Sequence, residues 1–284
     1  MKTRYLLILS WMAYVDLPPL YEELIRRGGS IPVAAFAESV LRMDAAGVLK
    51  CRRLNAPARD AARELTASEG VITGYINRNA TDGFAAYVIR NEGETIVAMR
   101  GSESPDGCAE SYVDWVDNIC EPFSGSVQLE SIRTLADELT SGRVIFTGHS
   151  KGGHNALAAL AVSQNPEARA AAFNGQGFAA GALNENETLK LRRRGMNYVV
   201  QDDPVGALLE HPERRVFVRR MPGTNPHMPE AFMFDNDGEP VRARRSAASY
   251  AIGLASRYAD ARISGRGREG AARLCRDVLE RYGN

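Results

Sequence analysis

A glycine-rich turn at residues 148–152 holds the residues best suited to chemistry. It reads Gly-His-Ser-Lys-Gly and fits the pattern G-x-S-x-G around Ser150. The apolar residues 144–146 before it predict a buried strand, and the small apolar residues 153–162 after it predict a helix. In this context the motif holds a nucleophilic serine above the end of a sheet, at the positive end of the following helix. We therefore predict that Ser150 is a nucleophile.

Two other interpretations of the turn exist. A glycine-rich connection between a strand and a helix can contain a serine by chance, since the chain has 26 glycines. A phosphate-binding loop is disfavoured because the sequence contains no G-x-x-x-x-G-K-[ST]. The flanking strand and helix favour the nucleophile.

A serine hydroxyl needs a general base within hydrogen-bond reach, and the base needs a third group to orient it. The chain has four histidines. His149 is adjacent to Ser150 and points elsewhere, and His154, one turn into the helix, is expected to be packed and hydrogen-bonded. His211 and His227 both lie downstream, where the order serine, acid, histidine places the base. We predict His227, because it follows a further strand at the carboxyl edge of the sheet; the alternative for it is an exposed loop histidine.

The acid is expected after a strand end between the serine and the histidine. Residues 197–200 predict that strand, and Asp202 and Asp203 follow it directly before Pro204. Because the proline fixes the turn, we predict Asp203 as the orienting carboxylate, with Asp202 as the second choice.

An oxyanion formed during acyl transfer needs two fixed donors. The backbone N–H of Lys151 is one candidate, and Ser102, which follows a predicted strand at 95–99, offers an N–H and a hydroxyl as the other. For the Lys151 side chain, two interpretations remain open: it raises the local positive potential, or it is solvated at the surface.

The hydrophobic pattern predicts two regions. Residues 1–68 are predicted to form a helical N-terminal cap whose third helix has Ser30 as its N-cap, and residues 69–284 a catalytic α/β domain. An antiparallel meander followed by alternating helices and strands predicts a mixed, mostly parallel sheet with helices on both faces. The predicted strands are 71–76, 84–90, 95–99, 144–146, 170–173, 197–200 and 215–219, followed by a hairpin of 231–234 with 239–241. The predicted helices of the second region include 112–119, 127–139, 153–162, 183–194 and those starting near 246 and 269.

Composition restricts the partners. The chain has 35 basic and 35 acidic residues among 284, so its formal net charge of zero gives no reason to expect nucleic acid or an anionic membrane. Arginine clusters at 192–194 and 242–245 are interpreted as solvated faces, with an anionic headgroup site as the alternative.

The cellular location is predicted from the lack of a membrane span and of a secretory signal. No apolar run reaches the 18 residues of a membrane span, and the apolar residues 5–15 lack the cleavage site of a secretory signal. The four cysteines (Cys51, Cys108, Cys120 and Cys275) show no metal-ligand spacing. We therefore expect a cytoplasmic protein without integral membrane association and without a metal; its oligomeric state is not predicted.

Taken together, the motifs resemble those of the class 3 lipases, the fungal-type α/β-hydrolases. R-G-S at 100–102 resembles the family's oxyanion loop. D-W-V-D at 114–117 resembles the D-W-x-x-D motif that follows this loop in the family. G-H-S-K-G at 148–152 is similar to the family's nucleophile turn, and D-P-V at 203–205 is similar to the D-x-V turn that carries its acid. His227 lies where the family has its catalytic histidine. Residues 9–16, 148–153 and 205–209 are similar to a bacterial branch of lipase-like proteins.

The resemblance implies an α/β-hydrolase fold with no metal or organic cofactor. It also implies hydrolysis of a small-molecule or lipid carboxylic ester by Ser150, His227 and Asp203 through an acyl-enzyme, with Ser102 and Lys151 at the oxyanion hole. Phospholipids, thioesters and acyl transfer need the same triad and stay open, as does a degenerate hydrolase acting as a binding protein. Residues 104–111 are polar, unlike an amphipathic lid, which leaves a soluble esterase open.

Overall fold

A computed structural model describes residues 2–49, 54–78, 81–102 and 126–262 of the chain. Several predictions lie outside these residues and are not addressed by it. They are the helices at 112–119 and from 269, the motif at 114–117, the polar segment 104–111 and the four cysteines.

Within the described residues the sheet has eight strands, whose order in space is their order along the chain. The first four strands pair antiparallel, and the pairs from β4 to β8 are parallel, as the sequence predicts. Met99 lies beside Gly148, and Phe173 lies between His149 and Tyr198, so the carboxyl ends of β4 to β7 form one edge. The strands are β1 Ile31–Pro32, β2 Val71–Arg78, β3 Phe84–Asn91, β4 Glu94–Met99, β5 Val144–His149, β6 Arg169–Phe173, β7 Gly195–Val200 and β8 Arg214–Val218.

Helices cover both faces of this sheet. One apolar cluster joins the sheet to α1, α3 and α4, and a second joins it to α5, α6 and α7. Together with a sharp turn between β5 and α6, this arrangement is the α/β-hydrolase fold, and that prediction is confirmed. The helices are α1 Thr3–Met12, α2 Pro19–Arg26, α3 Val33–Ala45, α4 Ala56–Leu65, α5 Leu129–Glu138, α6 Lys151–Val162, α7 Glu185–Arg194 and α8 Ala247–Arg262, and two short 3-10 turns span Val205–Ala207 and Pro229–Ala231.

Helix α6 consists mostly of small and apolar residues because the protein encloses it on almost every side. Eleven of its twelve residues are buried, and Leu157 and Leu160 are fully inaccessible. Burial of each leucine contributes about 1.5–3 kcal/mol. A helix so enclosed fixes the position of its first residue relative to the sheet.

Helix α1 and a short strand both join the N-terminal region to the sheet. Ser10 of α1 lies in the core, where its hydroxyl is 3.0 Å from the Thr147 hydroxyl of β5. Residues 31–32 pair with residues 71–72 of β2, so the first 68 residues contribute a strand as well as helices. This pairing corrects the predicted start of the third helix: α3 begins at Val33 rather than after Ser30, because the residues between them are extended.

Candidate active site

Ser150 stands in a strained backbone conformation at the turn between β5 and α6. Its φ of 59° and ψ of −124° lie in a region that non-glycine residues rarely adopt, at a cost of about 1–3 kcal/mol. The Ser150 N–H donates to the Phe173 carbonyl at 2.9 Å, and the Ser150 carbonyl accepts from Gly153 at 3.0 Å and His154 at 3.1 Å. These bonds from β6 and α6 hold the turn in place.

The two glycines of the G-x-S-x-G pattern are required by close backbone approach. A Cβ atom added to Gly148 would overlap the carbonyl of Gly152, and one added to Gly152 would overlap the carbonyl of Met99 on β4. The spacing of the motif therefore follows from how tightly the turn is pressed against its neighbouring strands.

His227 lies between Ser150 and Asp203. Its Nε2 is 2.9 Å from Ser150 Oγ, and its Nδ1 is 2.9 Å from Asp203 Oδ1. An ionised carboxylate only accepts hydrogen bonds, so Nδ1 carries the proton and donates it to Asp203. The Nε2 lone pair is then free to accept from the Ser150 hydroxyl, which is the tautomer that a general base needs.

Asp203, rather than Asp202, faces His227. The Asp203 side chain is fully buried, and its Oδ2 accepts from the Gly206 N–H. A Cβ atom on Gly206 would lie 2.9 Å from that Oδ2, so the turn after Pro204 leaves room only for glycine. Asp202 instead pairs with Arg220 at 2.8 Å.

His211, the alternative base, is engaged elsewhere. Its Nδ1 is 2.7 Å from Glu213 Oε1, and both side chains are buried. Burial raises the pKa of the Glu213 carboxyl, but the hydrogen bond from His211 and its charge lower it by more, so the pKa lies below its ordinary value. His211 is thus engaged in a buried contact with Glu213, whereas Ser150 Oγ lies against His227.

His149 supports the backbone that carries His227. Its Nε2 is 2.6 Å from the His227 carbonyl, and since a carbonyl only accepts, this nitrogen is the donor. Its Nδ1 then accepts from the Tyr14 hydroxyl at 3.1 Å. Asn174 donates to the same His227 carbonyl at 3.1 Å and to the Pro226 carbonyl at 3.0 Å. Two side chains from the ends of β5 and β6 therefore fix the histidine loop.

Protonation of His149 is expected to destabilise the fold in acid. Burial, and next the nearby His227, lower its pKa from 6.5 to about 3. An unfolded chain takes up this proton as the pH falls below 6.5, whereas the folded protein does not until about pH 3. The stability that neutral His149 contributes is present above pH 6.5 and lost as the pH falls towards 3.

Urea unfolding at pH 7 and pH 5 tests this. Between these pH values the wild type should lose about 2 kcal/mol more unfolding free energy than His149→Gln. Glutamine cannot titrate but keeps an N–H donor, so each protein is compared with itself at the two pH values. An equal loss in both proteins would contradict the assignment.

The predicted oxyanion residues lie at two adjacent strand ends. Ser102 follows β4 and is half-buried, and Lys151 supplies the first backbone N–H of α6. The Lys151 side chain is only 2% exposed, so its interpretation as a solvated surface side chain is wrong. Whether Ser102 and Lys151 bind an oxyanion stays a prediction.

The loop that leads to Ser102 is anchored to the N-terminal region. The buried Arg100 side chain donates to the Ala13 carbonyl at 2.7 Å and to Asp16 Oδ1 at 2.5 Å. A Cβ atom on Gly101 would overlap the Tyr14 hydroxyl, so only glycine fits at this position. The segment after α1 therefore fixes both this loop and, through Tyr14, His149.

Sequence reasoning did not assign roles to Tyr14, Asp16, Arg100 and Asn174. For two of these residues, the neighbouring sequence indicates a structural role. Arg100 directly follows an apolar strand, which favours a buried partner, and Asn174 precedes a glycine at a strand end, where asparagine tolerates its positive φ of 50°. The partners of Tyr14 and Asp16 are far away in sequence and had no local signal.

Neither a metal cluster nor a membrane helix is found in the described ranges. No group of three or more His, Cys, Asp or Glu side chains there could hold a metal ion. Among the same residues no helix combines the length and apolar character needed to cross a bilayer.

An apolar cavity of about 120 Å³ lies between α5, α6 and the segment after β6. Its walls include Ile132, Ala158 and Phe178, and His154 packs on Phe178 with ring centroids 4.6 Å apart. Neither Ser150 nor His227 lines this cavity, so it is separate from the candidate triad.

Comparison with known proteins gives one family match. A family model described as Mbeg1-like matches residues 70–238, which is more than half of the chain. No curated protein matches the chain.

Two solved lipases are similar in structure. The chain shares 14% identity with the mono- and diacylglycerol lipase from Aspergillus oryzae, covering 95% of this chain and 97% of that one, at a TM-score of 0.47. It shares 10% identity with Lip2 lipase from Yarrowia lipolytica, covering 89% and 88%, at a TM-score of 0.46. At these values the likeness carries no information on substrate.

Proposed function

The chain belongs to the Mbeg1-like family, and we propose that it is a serine hydrolase that cleaves carboxylic esters through an acyl-enzyme intermediate. One observation carries this proposal. Ser150 Oγ, the His227 ring and the buried Asp203 carboxylate form an unbroken hydrogen-bond chain with two links of 2.9 Å. The serine stands at a strained strand-to-helix turn, which is where this chemistry places its nucleophile.

In the proposed reaction Ser150 Oγ attacks the ester carbonyl while His227 Nε2 takes the hydroxyl proton. Asp203 stabilises the resulting imidazolium through Nδ1–H. The tetrahedral oxyanion accepts hydrogen bonds from the Lys151 N–H and from Ser102. Collapse breaks the bond to the alcohol, which leaves with the proton from His227, and water then repeats the sequence to release the acid and free Ser150.

The proposed substrate is a small-molecule or lipid ester. Labelling with a fluorophosphonate probe, with Ser150→Ala as the control, tests the nucleophile directly. A series of p-nitrophenyl esters from acetate to palmitate, with and without detergent, then defines the acyl group. Failure of the folded wild type to label would favour a binding protein over a hydrolase.

Asp203→Asn is expected to lower kcat about 10⁴-fold, because an amide stabilises the wrong tautomer of His227. Asp202→Asn is the matched control, and it should change kcat by only a few-fold since it weakens a partly exposed pair with Arg220. Steady-state kinetics on one ester compares the two. A damaging Asp202→Asn beside a harmless Asp203→Asn would show that the neighbouring aspartates had been assigned in the wrong order.

A further inference from the structure

Two arginines lie against Phe217 of β8, and burial together with the charge of a third, Arg257, lowers the pKa of both. The guanidinium carbons of Arg215, on β8, and Arg245, ahead of α8, each lie 5.5 Å from the centroid of the Phe217 ring. A Cβ atom on Gly253 of α8 would lie 2.6 Å from Arg245 Nη2. Arg257 follows Gly253 by one helical turn and donates to its carbonyl at 3.2 Å, so it stands on the same helix face.

Among the described residues, these three positive charges lack a matching set of carboxylates. In the part of the chain that the structure describes, none of the three guanidiniums forms an ion pair, whereas nearby Arg220 pairs with Asp202. Burial and the charge of Arg245 lower the pKa of Arg215, and the charge of Glu213 only partly offsets this. Burial, and next the charge of Arg257, lower the pKa of Arg245. The cluster therefore has an excess of positive charge.

Two guanidinium nitrogens of the cluster make no hydrogen bond to a described residue. Arg215 Nη1 is buried and has no hydrogen-bond partner among the described residues. Arg245 uses Nε and Nη2 on Ser249, at 3.1 and 2.8 Å, which leaves its Nη1. Planar guanidiniums with unpaired donors match the oxygens of a phosphate group.

We propose that Arg215, Arg245 and Arg257 form a binding site for a phosphate group, carried by a free phosphate compound or by a lipid headgroup. The site is separate from the candidate triad and does not depend on its activity. It is connected to the triad through α8, since a Cβ atom on Gly253 would lie 2.8 Å from the carbonyl of Ala207, in the turn that follows Asp203.

Apolar side chains beside the cluster favour a lipid headgroup as the source of the phosphate group. Tyr250, Leu254 and Tyr258 recur every fourth residue on α8 and are 54%, 46% and 60% exposed. The guanidinium carbon of Arg245 is 5.5 Å from the Tyr250 ring centroid, so the cluster and the apolar stripe are adjacent. A phosphate with an attached acyl chain would contact both.

Calorimetric titration with inorganic phosphate and with glycerol 3-phosphate tests the free source, and flotation with phosphatidylcholine vesicles, with and without phosphatidylglycerol, tests the lipid source. Arg245→Gln/Arg257→Gln should weaken binding by about tenfold or more, because it removes charged donors. The matched control is Arg242→Gln/Arg244→Gln, which removes the same charge from exposed neighbours and should change binding less than about twofold.

All measurements use the full chain, and Ser150→Ala should bind as the wild type does, which keeps this test independent of the proposed hydrolysis. Thermal unfolding checks that each variant is folded, and the exposed Arg257→Gln alone replaces the double variant if that one is not. Binding of a soluble phosphate supports a free ligand, and binding only to vesicles with phosphatidylglycerol supports a headgroup. Binding of none of these probes by the wild type, or equal weakening by the control, would overturn the site.

Discussion

Replacing Ser150 by alanine is expected to lower kcat for ester hydrolysis by about six orders of magnitude, to the level set by the remaining binding contacts. The change removes the only atom that forms the covalent bond, and it removes little volume. The backbone bonds that hold the turn, from the Ser150 N–H to Phe173 and from Gly153 and His154 to its carbonyl, do not involve the side chain. The variant should therefore fold as the wild type does.

Hydrolysis of a p-nitrophenyl ester measures the loss of kcat, and thermal unfolding of the same preparations shows whether the variant is folded. Ser163→Ala is the control, since it removes a hydroxyl from the other end of α6 and should keep wild-type kcat. Wild-type turnover by Ser150→Ala would remove the nucleophile assignment, and with it the proposed function.

Replacing His227 by alanine should cost nearly as much as Ser150→Ala, because the members of a triad act as one unit. His211→Ala is the matched control. It removes the His211 partner of the buried Glu213 carboxylate and leaves the Asn197 amide, which should destabilise the protein by about 1–3 kcal/mol. At temperatures where it stays folded, however, it should keep most of the wild-type kcat.

The two variants thus separate stability from activity. Kinetics at low temperature, together with urea unfolding, should show an inactive but stable His227→Ala and an active but weakened His211→Ala. Loss of activity in His211→Ala with activity retained in His227→Ala would identify the other histidine as the base. Labelling of Ser150 would then still distinguish a hydrolase from a binding protein.

Local features made the candidate site readable from the sequence. The close contact between Gly148 and Gly152 is local, so the glycine spacing appears directly in the motif, although Gly152 also approaches Met99 on the distant strand β4. The strand end before Asp203 and the proline after it are also local. His227 required a longer argument from chain order, and the structure places its ring against Ser150 and Asp203.

Features that depend on distant packing could not be read in this way. Tyr14 meets His149 across 135 residues, and Arg100 meets Asp16 across 84. Neither pairing has a local pattern. The start of α3 was misplaced for the same reason, since pairing of residues 31–32 with β2 overrides the capping preference of Ser30. The buried Lys151 side chain likewise reflects the depth of α6, which its charge does not suggest.

The contact of α1 with β5 has a consequence for biosynthesis. Ser10 and Thr147 are 137 residues apart, so at about 5–20 residues per second a ribosome needs roughly 7 to 27 seconds to supply this partner of α1. Until then Leu6, Leu7 and Leu9, all buried in the folded protein, lack the strand β5 against which α1 packs. The nascent helix α1 is therefore a segment that a holding chaperone would bind, and an excess of that chaperone should raise the soluble yield.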